Sequence, residues 1–303
     1  YISLTLTMDN FSKYKDLTIV IVTFYSENII YKCIESIGKN IKIIIVENSN
    51  NLELKKDIEK KYSNVQVLLA ENNLGYGKAN NLGIKHSKTN FVLILNPDTL
   101  IDFNNIQILL EYAKNYQPTI LAPLIKDKNT QDWNFGYFNK NINDADVLSG
   151  KEILDVDFVR GFALLINKNK FQEDFFDENY FTYMEELDLC MRVKKQGGKV
   201  LVCTKAKVSH LGASSHNKNI NFEMELSRNW HWMWSNYYYY RKNSGIFDAY
   251  KKTLSKFIFS FLKMIFYSVF NKQKFLINKQ RFSGLLNAYM NKPSSYRPRI
   301  KRD

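Results

Sequence analysis

The sequence predicts an α/β fold: a mostly parallel, twisted central sheet with helices on both faces, followed by a helical tail rich in basic and aromatic residues. Three observations predict it. Between residues 17 and 95, four short β-branched apolar runs alternate with helix-periodic segments at a spacing of about 25 residues, as in strand–helix units of a parallel sheet. The runs are continuously apolar, as strands covered on both faces are. From Asn229 to Asp303, 15 Lys and Arg stand against 2 Asp and Glu, whereas the preceding residues carry 28 of each, so the net charge of +13 lies wholly in the tail.

Each element follows in order. LTIVIVTF (17–24) is a buried strand. In SENIIYKCIESIGKN, Ile29, Ile30, Cys33, Ile34 and Ile37 share a helical face and Ser26 is placed to cap it. IKIIIVENS is the second strand, NLELKKDIEKKY a polar helix, VQVLLAENN the third strand, GKANNLGIKHS a short helix and FVLIL the fourth strand. The alternation then loosens. TILAPLI, DFVRGFALLINKNKF and KVLVCTKAKVSHLG are strands, and residues 126–154 are irregular. FFDENYFTYMEELDLCMRVKKQGG is a loop entering a helix with Leu187, Cys190 and Met191 on one face, stopped by Gly197 and Gly198.

The totals bound the function. A chain of 303 residues, 45% hydrophobic and 24% charged, is long enough for one large domain plus an appendage, or for two domains, and has the composition of a folded protein rather than a disordered one. The expected division is a leader at 1–16, a catalytic domain at 17–225 and a C-terminal segment at 226–303. Cys33, Cys190 and Cys203 form no CxxC pair, which points to a reducing compartment. No N-terminal stretch has the pattern of a signal peptide, and YISLTLT before Met8 is given no role.

Ligands of such sheets bind beyond the carboxyl ends of the strands. Those ends carry Thr23, then Glu47, Asn48 and Ser49, then Asn72 and Asn73, then Asn96 and Asp98. Asn-Pro-Asp is good turn chemistry; it also holds a carboxylate where Mg2+ or Mn2+, which take one or two protein oxygens and complete their shell with phosphate and water, could be bound. Glu185 has capping-box spacing from Thr182, and Asp188 could pair with Arg192 one turn on. Glu186 and Asp188 are candidates for a general base. His210 is either a packed histidine or a further metal ligand, and His86, His216 and His231 carry no signal. ENNLGYGKANNLG lacks the third glycine of GxGxxG, and no GxxxxGK[ST] occurs, so hydride transfer on a dinucleotide site and P-loop chemistry lose support. Lys78, at the start of a helix, can still meet a phosphate.

Taken in order, TIVIVTFYSENIIYKCIESI, IIIVENSN, ENNLGYGKANNLGIKHS, FVLILNPDT, VRGFALLINKNKF and FFDENYFTYMEELDLCMRVKKQGGKVLVCTKAKVSHLGASS resemble the family 2 glycosyltransferases with a GT-A fold, in particular their bacterial rhamnosyltransferase-like branch. The likeness covers residues 17–216. It implies that Thr23 and Glu47 line the nucleoside pocket, and that Asn73, Lys78 and Asn96 lie on the donor side. Asp98 would be the principal acidic ligand of Mg2+ or Mn2+, with His210 beside it. Arg160, Gly161 and Glu185 would face the acceptor. Glu186 stands where relatives carry the catalytic aspartate, with Asp188 in reserve. Glu47 and Glu186 are each one methylene longer than the aspartate usual there, and Lys78 replaces a commoner arginine. The implied reaction is a single displacement with inversion, from a nucleotide sugar to a hydroxyl of a glycan or lipid-linked acceptor in polysaccharide synthesis. dTDP-rhamnose is the favoured donor; UDP-galactose and UDP-N-acetylglucosamine are alternatives.

The tail opens with NWHWMWSNYYYYRKNSG, dense in interfacial residue types. FIFSFLKMIFYSVF follows, shorter than a bilayer span. With Lys252, Lys256, Ser260 and Lys263 on one stripe, it reads as an amphipathic helix on an anionic membrane, and the protein as peripheral at the cytoplasmic face. A homodimer interface is the competing reading. A nucleic-acid-binding tail would leave the carboxylates of the body unexplained.

Overall fold

The computed structural model describes residues 15–125, 133–142, 150–171, 174–210 and 220–300. The leader through residue 14, parts of the irregular stretch and His216 lie outside them. The chain divides into two compact units: Tyr1–Leu74, Ala79–Phe176 and Leu189–His216 in one, and Gly75–Lys78, Asp177–Asp188 and Asn217–Asp303 in the other.

The first unit is the α/β body. Strands β1 (Leu17–Thr23), β2 (Lys42–Glu47), β3 (Val65–Leu69) and β4 (Phe91–Leu95) lie in the order β3-β2-β1-β4, all parallel. The helices α1 (Glu27–Ile37), α2 (Leu52–Lys61) and α3 (Tyr76–His86) fall between them in the chain. Ile19, Val20, Ile21, Ile43, Ile44, Ile45 and Val92, Leu93, Ile94 have no exposed surface, as the unbroken apolar runs require. Each such side chain contributes about 1.5–3 kcal/mol by leaving water.

Beyond β4 come β5 (Thr99–Leu100), α4 (Phe103–Tyr116), β6 (Ile120–Ile125), β7 (Phe135–Gly136), β8 (Ile153–Asp155), β9 (Phe158–Val159), β10 (Ala163–Asn167), α5 (Glu185–Lys195) and β11 (Val200–His210). β10 joins the sheet antiparallel between β4 and β6, and β11 runs parallel to β6. The two-residue β5 is too short to leave a periodic signal in the sequence. It pairs antiparallel with the end of β11, setting Thr99 opposite His210. That register carries the preceding residue, Asp98, to the end of the last strand.

Two expected caps differ. Ser26 precedes α1 but makes no side-chain cap; its hydroxyl exchanges hydrogen bonds with the N–H and C=O of Phe24 instead. The capping box at Thr182 and Glu185 does not form, because α5 begins only at Glu185. Tyr183 and Met184 both sit at φ 70°, a left-handed conformation that strains side-chain-bearing residues by roughly 1–3 kcal/mol each, so no helical turn runs back to Thr182. The far end of α5 behaves as read: Gly197 at φ 75° and N–H groups of Gly197 and Gly198 bonded to the carbonyls of Lys194 and Val193 close a Schellman motif.

The second unit is built on α6 (Asn221–Ser244), α7 (Ile246–Phe270) and α8 (Lys272–Tyr289). The aromatic cluster of the tail is largely its core: Trp230, Met233, Trp234 and Tyr237 of α6 pack with Ala249, Leu285 and Ala288. Density of Trp and Tyr here reflects helix–helix packing rather than a membrane belt. His231, silent in the sequence, is fully buried. Its Nε2 lies 2.9 Å from the carbonyl oxygen of Tyr296, which can only accept, so Nε2 carries the proton and Nδ1 accepts from Ser294 Oγ, also at 2.9 Å. Burial pushes this imidazole down to about 3.

α7 also departs from expectation. The helix is 25 residues long, not a 14-residue segment, and at 1.5 Å per residue it is about 37 Å long. By length and composition it is the one helix among the described residues able to cross a membrane. Its lysine and serine stripe does not form a free polar face. Lys256 Nζ donates to Asn236 Oδ1 at 2.9 Å, and Ala249, Thr253 and Ser260 are the buried positions. Phe247, Leu254, Ile258, Phe261, Leu262, Ile265, Phe266 and Val269 are exposed.

Candidate functional site

The α/β unit gathers its candidate side chains at the carboxyl ends of the strands. Thr23 and Glu47 are register partners on β1 and β2, and both are fully buried. The Thr23 hydroxyl has no hydrogen-bond partner among the described residues. The Glu47 carboxylate is occupied by its own loop: Oε1 accepts from the N–H and hydroxyl of Ser49, and Oε2 from the N–H of Asn51 at 2.6 Å. Asn51 in turn caps α2 through Leu54 N–H and donates to Glu27. Glu47 therefore shapes the loop after β2, with part of its lone-pair capacity left for a ligand. The third loop is tied to the second, since Leu74 N–H lies 3.4 Å from Asn48 Oδ1. Asn73, just before it, is half-buried.

Asn-Pro-Asp-Thr is both of the things its sequence allowed. Thr99 N–H bonds to the Asn96 carbonyl at 3.1 Å, closing a β-turn with proline at its second position. That turn presents Asp98, 3% exposed. Asp98 Oδ1 has no hydrogen-bond partner among the described residues and stands 3.3 Å from His210 Nε2. Phe162 stacks on the His210 ring at 4.5 Å and 10°, and its carbonyl accepts the Asn96 N–H at 2.9 Å. Arg160 and Gly161 immediately precede Phe162; Arg160 is exposed and its N–H is held by Asn134. Cys33 lies beneath this turn, and burial, then the Asp98 charge, push its thiol up to about 12.

These residues fit a divalent cation. A buried carboxylate oxygen without a donor is costly, and two ligands sharing a cation at about 2.0–2.2 Å lie roughly 3 Å apart. Among the described residues no group of three or more His, Cys, Asp or Glu could hold a metal. Asp98 and His210 alone would leave several positions for phosphate oxygens and water, the mode usual for Mg2+.

The other unit carries Lys78, Glu185, Glu186 and Asp188. Gly75, at φ 79°, is required there: a Cβ would lie 2.2 Å from the Phe181 carbonyl oxygen, which accepts the Tyr76 N–H at 2.7 Å. Lys78 is 3.5 Å from Glu178, both half-exposed. Asp188 is fully buried and already engaged by Lys242 Nζ at 2.8 Å and Asn243 Nδ2 at 3.1 Å. Its carboxylate anchors α6 rather than waiting for a proton. Glu185 is 4% exposed, with Oε2 unpartnered among the described residues. Burial, then the neighbouring Glu186, push its carboxyl well above the usual range. Glu186 is half-buried. The structure thus gives the three acids different surroundings.

A doubly covered sheet in the order β3-β2-β1-β4-β10-β6-β11, with an aspartate turn at its carboxyl edge, has the GT-A fold of glycosyltransferases. The chain belongs to glycosyl transferase family 2, whose model matches residues 18–176. It is 27% identical over 207 residues to the low-salt glycan biosynthesis hexosyltransferase Agl10 of Haloferax volcanii, covering 64% of this chain and 67% of that one. It is 26% identical over 206 residues to the rhamnosyltransferase WbbL of Escherichia coli, covering 59% and 77%. Among solved structures, GalNAc-T7 with UDP, GalNAc and Mn2+ aligns at a TM-score of 0.52 and 15% identity over 74% of this chain, which spans about half of that protein (49%). S. aureus TarS 1-349 with UDP aligns at 0.51 and 12% identity, over 91% of this chain and 92% of that one. These structural likenesses concern the fold.

Proposed function

We propose that the protein is an inverting, divalent-cation-dependent hexosyltransferase that moves a sugar from a nucleoside-diphosphate donor to a hydroxyl of a glycan or lipid-linked acceptor in cell-surface polysaccharide synthesis. The observation that carries this reading is a buried Asp98 oxygen that has no hydrogen-bond partner among the described residues and stands 3.3 Å from His210 Nε2 at the carboxyl edge of a family 2 sheet. Thr23, Glu47, Asn73 and Asn96 would hold the nucleoside and Lys78 the diphosphate. A Mg2+ or Mn2+ ion bound by Asp98 and His210 would supply Lewis-acid stabilisation of the leaving diphosphate. A sugar hydroxyl is a weak nucleophile and needs a base. Glu186 is assigned that role, because Asp188 is held by Lys242 and Glu185 favours its protonated form. Arg160 and Gly161 would lie on the acceptor side. One base and one clamped leaving group give a single displacement; a retaining mechanism needs a second, nucleophilic carboxylate.

The donor is assigned as dTDP-rhamnose on the likeness to a rhamnosyltransferase, with UDP-galactose and UDP-N-acetylglucosamine as alternatives. The outward apolar face of α7 and the lysines around it (Lys251, Lys252, Lys263, Lys272 and Lys274, all exposed) support peripheral attachment to an anionic, cytoplasmic membrane face. The test is release of nucleoside diphosphate from each of the three donors with Mn2+. Release from one of them, abolished by chelation, is expected. No release from any, with or without metal, would overturn the reading.

A further inference from the structure

We propose that Arg297 is a positioning residue of the transferase: stacked on Phe181, it clamps the segment that holds both the donor-side loop Gly75–Lys78 and the turn into the base helix α5. The catalytic half of this proposal rests on the transferase reading; the clamp does not. Every residue of the clamp belongs to the helical unit.

Phe181 is 7% exposed, and its ring is covered on both faces. The Arg297 guanidinium carbon lies 3.8 Å from the ring centroid, and the His231 ring stacks on it at 4.4 Å and 26°. Two planar groups at those distances would collide on one face, so they take opposite faces. A guanidinium over an aromatic face is held by the ring quadrupole and by flat contact. Arg297 is itself fixed, since its Nη1 donates to the carbonyl oxygens of Ser294 at 3.0 Å and Tyr296 at 2.7 Å. The Tyr296 carbonyl also accepts from His231 Nε2, and the Ser294 hydroxyl donates to His231 Nδ1. Imidazole and guanidinium are thus tied together through the same short segment after α8.

Phe181 passes the constraint on in two directions. Its carbonyl accepts the Tyr76 N–H at 2.7 Å, and a Cβ at position 75 would meet both that carbonyl and the ring. The loop entering α3, with Lys78, is therefore packed directly on Phe181. Toward the base, the Thr182 carbonyl accepts from Ser235 Oγ of α6 at 2.9 Å. Tyr183 and Met184 follow, both left-handed, and then Glu185 and Glu186. Strained residues keep such a conformation only where their surroundings over-determine it. The contacts on Phe181 and Thr182 do so immediately before the base. A displacement of about 1 Å at reacting groups costs on the order of 100-fold in rate, so a residue remote from the chemistry can still set kcat.

Arg297 is exposed, so its removal spares the core. Hydrogen exchange read by mass spectrometry, in the full chain without ligand, tests the clamp. In Arg297→Ala, peptides containing Tyr76 and residues 182–186 should exchange about tenfold faster, while those of β1 and β4 stay unchanged. Release of nucleoside diphosphate from dTDP-rhamnose, UDP-galactose and UDP-N-acetylglucosamine with Mn2+ tests the consequence. For the donor that the wild type uses, Arg297→Ala should lower kcat about tenfold and raise KM about threefold. A merely destabilised variant would lose kcat in proportion to its unfolded fraction and keep its KM, and that result would overturn the positioning role. Phe181→Leu keeps the carbonyl and removes the stacked face. It should reproduce both changes, and the double variant should be no worse than either single one. Unchanged exchange in folded Arg297→Ala would overturn the clamp. Faster exchange with unchanged kcat and KM, or additive losses in the double variant, would overturn the positioning role. No release from any donor by the wild type would sink the transferase reading and the catalytic half with it, while the exchange result still decides the clamp.

Discussion

The strands of the α/β unit and helix α7 are sorted in opposite senses. In β1, β2 and β4 the large apolar side chains are inside, and Thr23 Oγ1 and Asp98 Oδ1, which have no hydrogen-bond partner among the described residues, sit at the carboxyl edge. In α7 the buried positions are Ala249, Thr253 and Ser260, while Phe259, Phe266, Val269 and Phe270 are at least 60% exposed. The first pattern is sorted for water, with exceptions where a ligand would repay them. The second resembles a surface sorted for an apolar medium. Both depart from ordinary burial, with a polar atom hidden in one and an apolar face displayed in the other.

The comparison can be broken from either side. The largest effect is expected at the hidden carboxylate: Asp98→Ala should lower transfer about a thousandfold or more while the protein stays folded. Retained transfer in a steady-state assay would show that the orphaned oxygen serves packing alone. Glu186→Gln should keep donor affinity and lower kcat about a hundredfold or more; an unchanged kcat would move the base to Glu185. Lys242→Met should act on stability instead, leaving Asp188 buried without its cation at a cost of about 3 kcal/mol in urea denaturation. On α7, replacing Phe261, Ile265 and Phe266 by Ser should reduce co-flotation with anionic vesicles about tenfold. Urea stability should stay within about 0.5 kcal/mol per site. Flotation that ignores both the substitutions and the lipid charge would return α7 to a dimer interface, detectable by light scattering. A last effect concerns His231. Its folded value of about 3 lies below the unfolded 6.5, so its contribution to stability is full above pH 6.5 and is lost as pH falls towards 3. His231→Gln should flatten the stability profile across that window; an unchanged slope would show that the imidazole is protonated in place.

The α/β half was legible because its signals are local and repeated. A β-branched run such as Ile43–Val46 admits few alternatives, and Asn-Pro-Asp at the tip of β4 could be placed by counting strands. The engagement of Asp188 was not legible, because its partner Lys242 comes from α6, far along the chain. The non-helical Tyr183 and Met184 carry no glycine to announce a left-handed turn. β5 was too short to see. α7 misled because a helical stripe of lysines and serines shows periodicity but not which way it faces. His231 had no motif; its role comes from Ser294 and Tyr296, brought to it only by folding.

The central claim is that Asp98 and His210 together hold a divalent cation with the donor diphosphate. Calorimetric titration of Mn2+ into the protein saturated with dTDP or UDP tests it without relying on turnover. The account predicts one nucleotide-dependent Mn2+ site in the wild type and its loss in folded Asp98→Ala. Equal Mn2+ binding by the two proteins would contradict it.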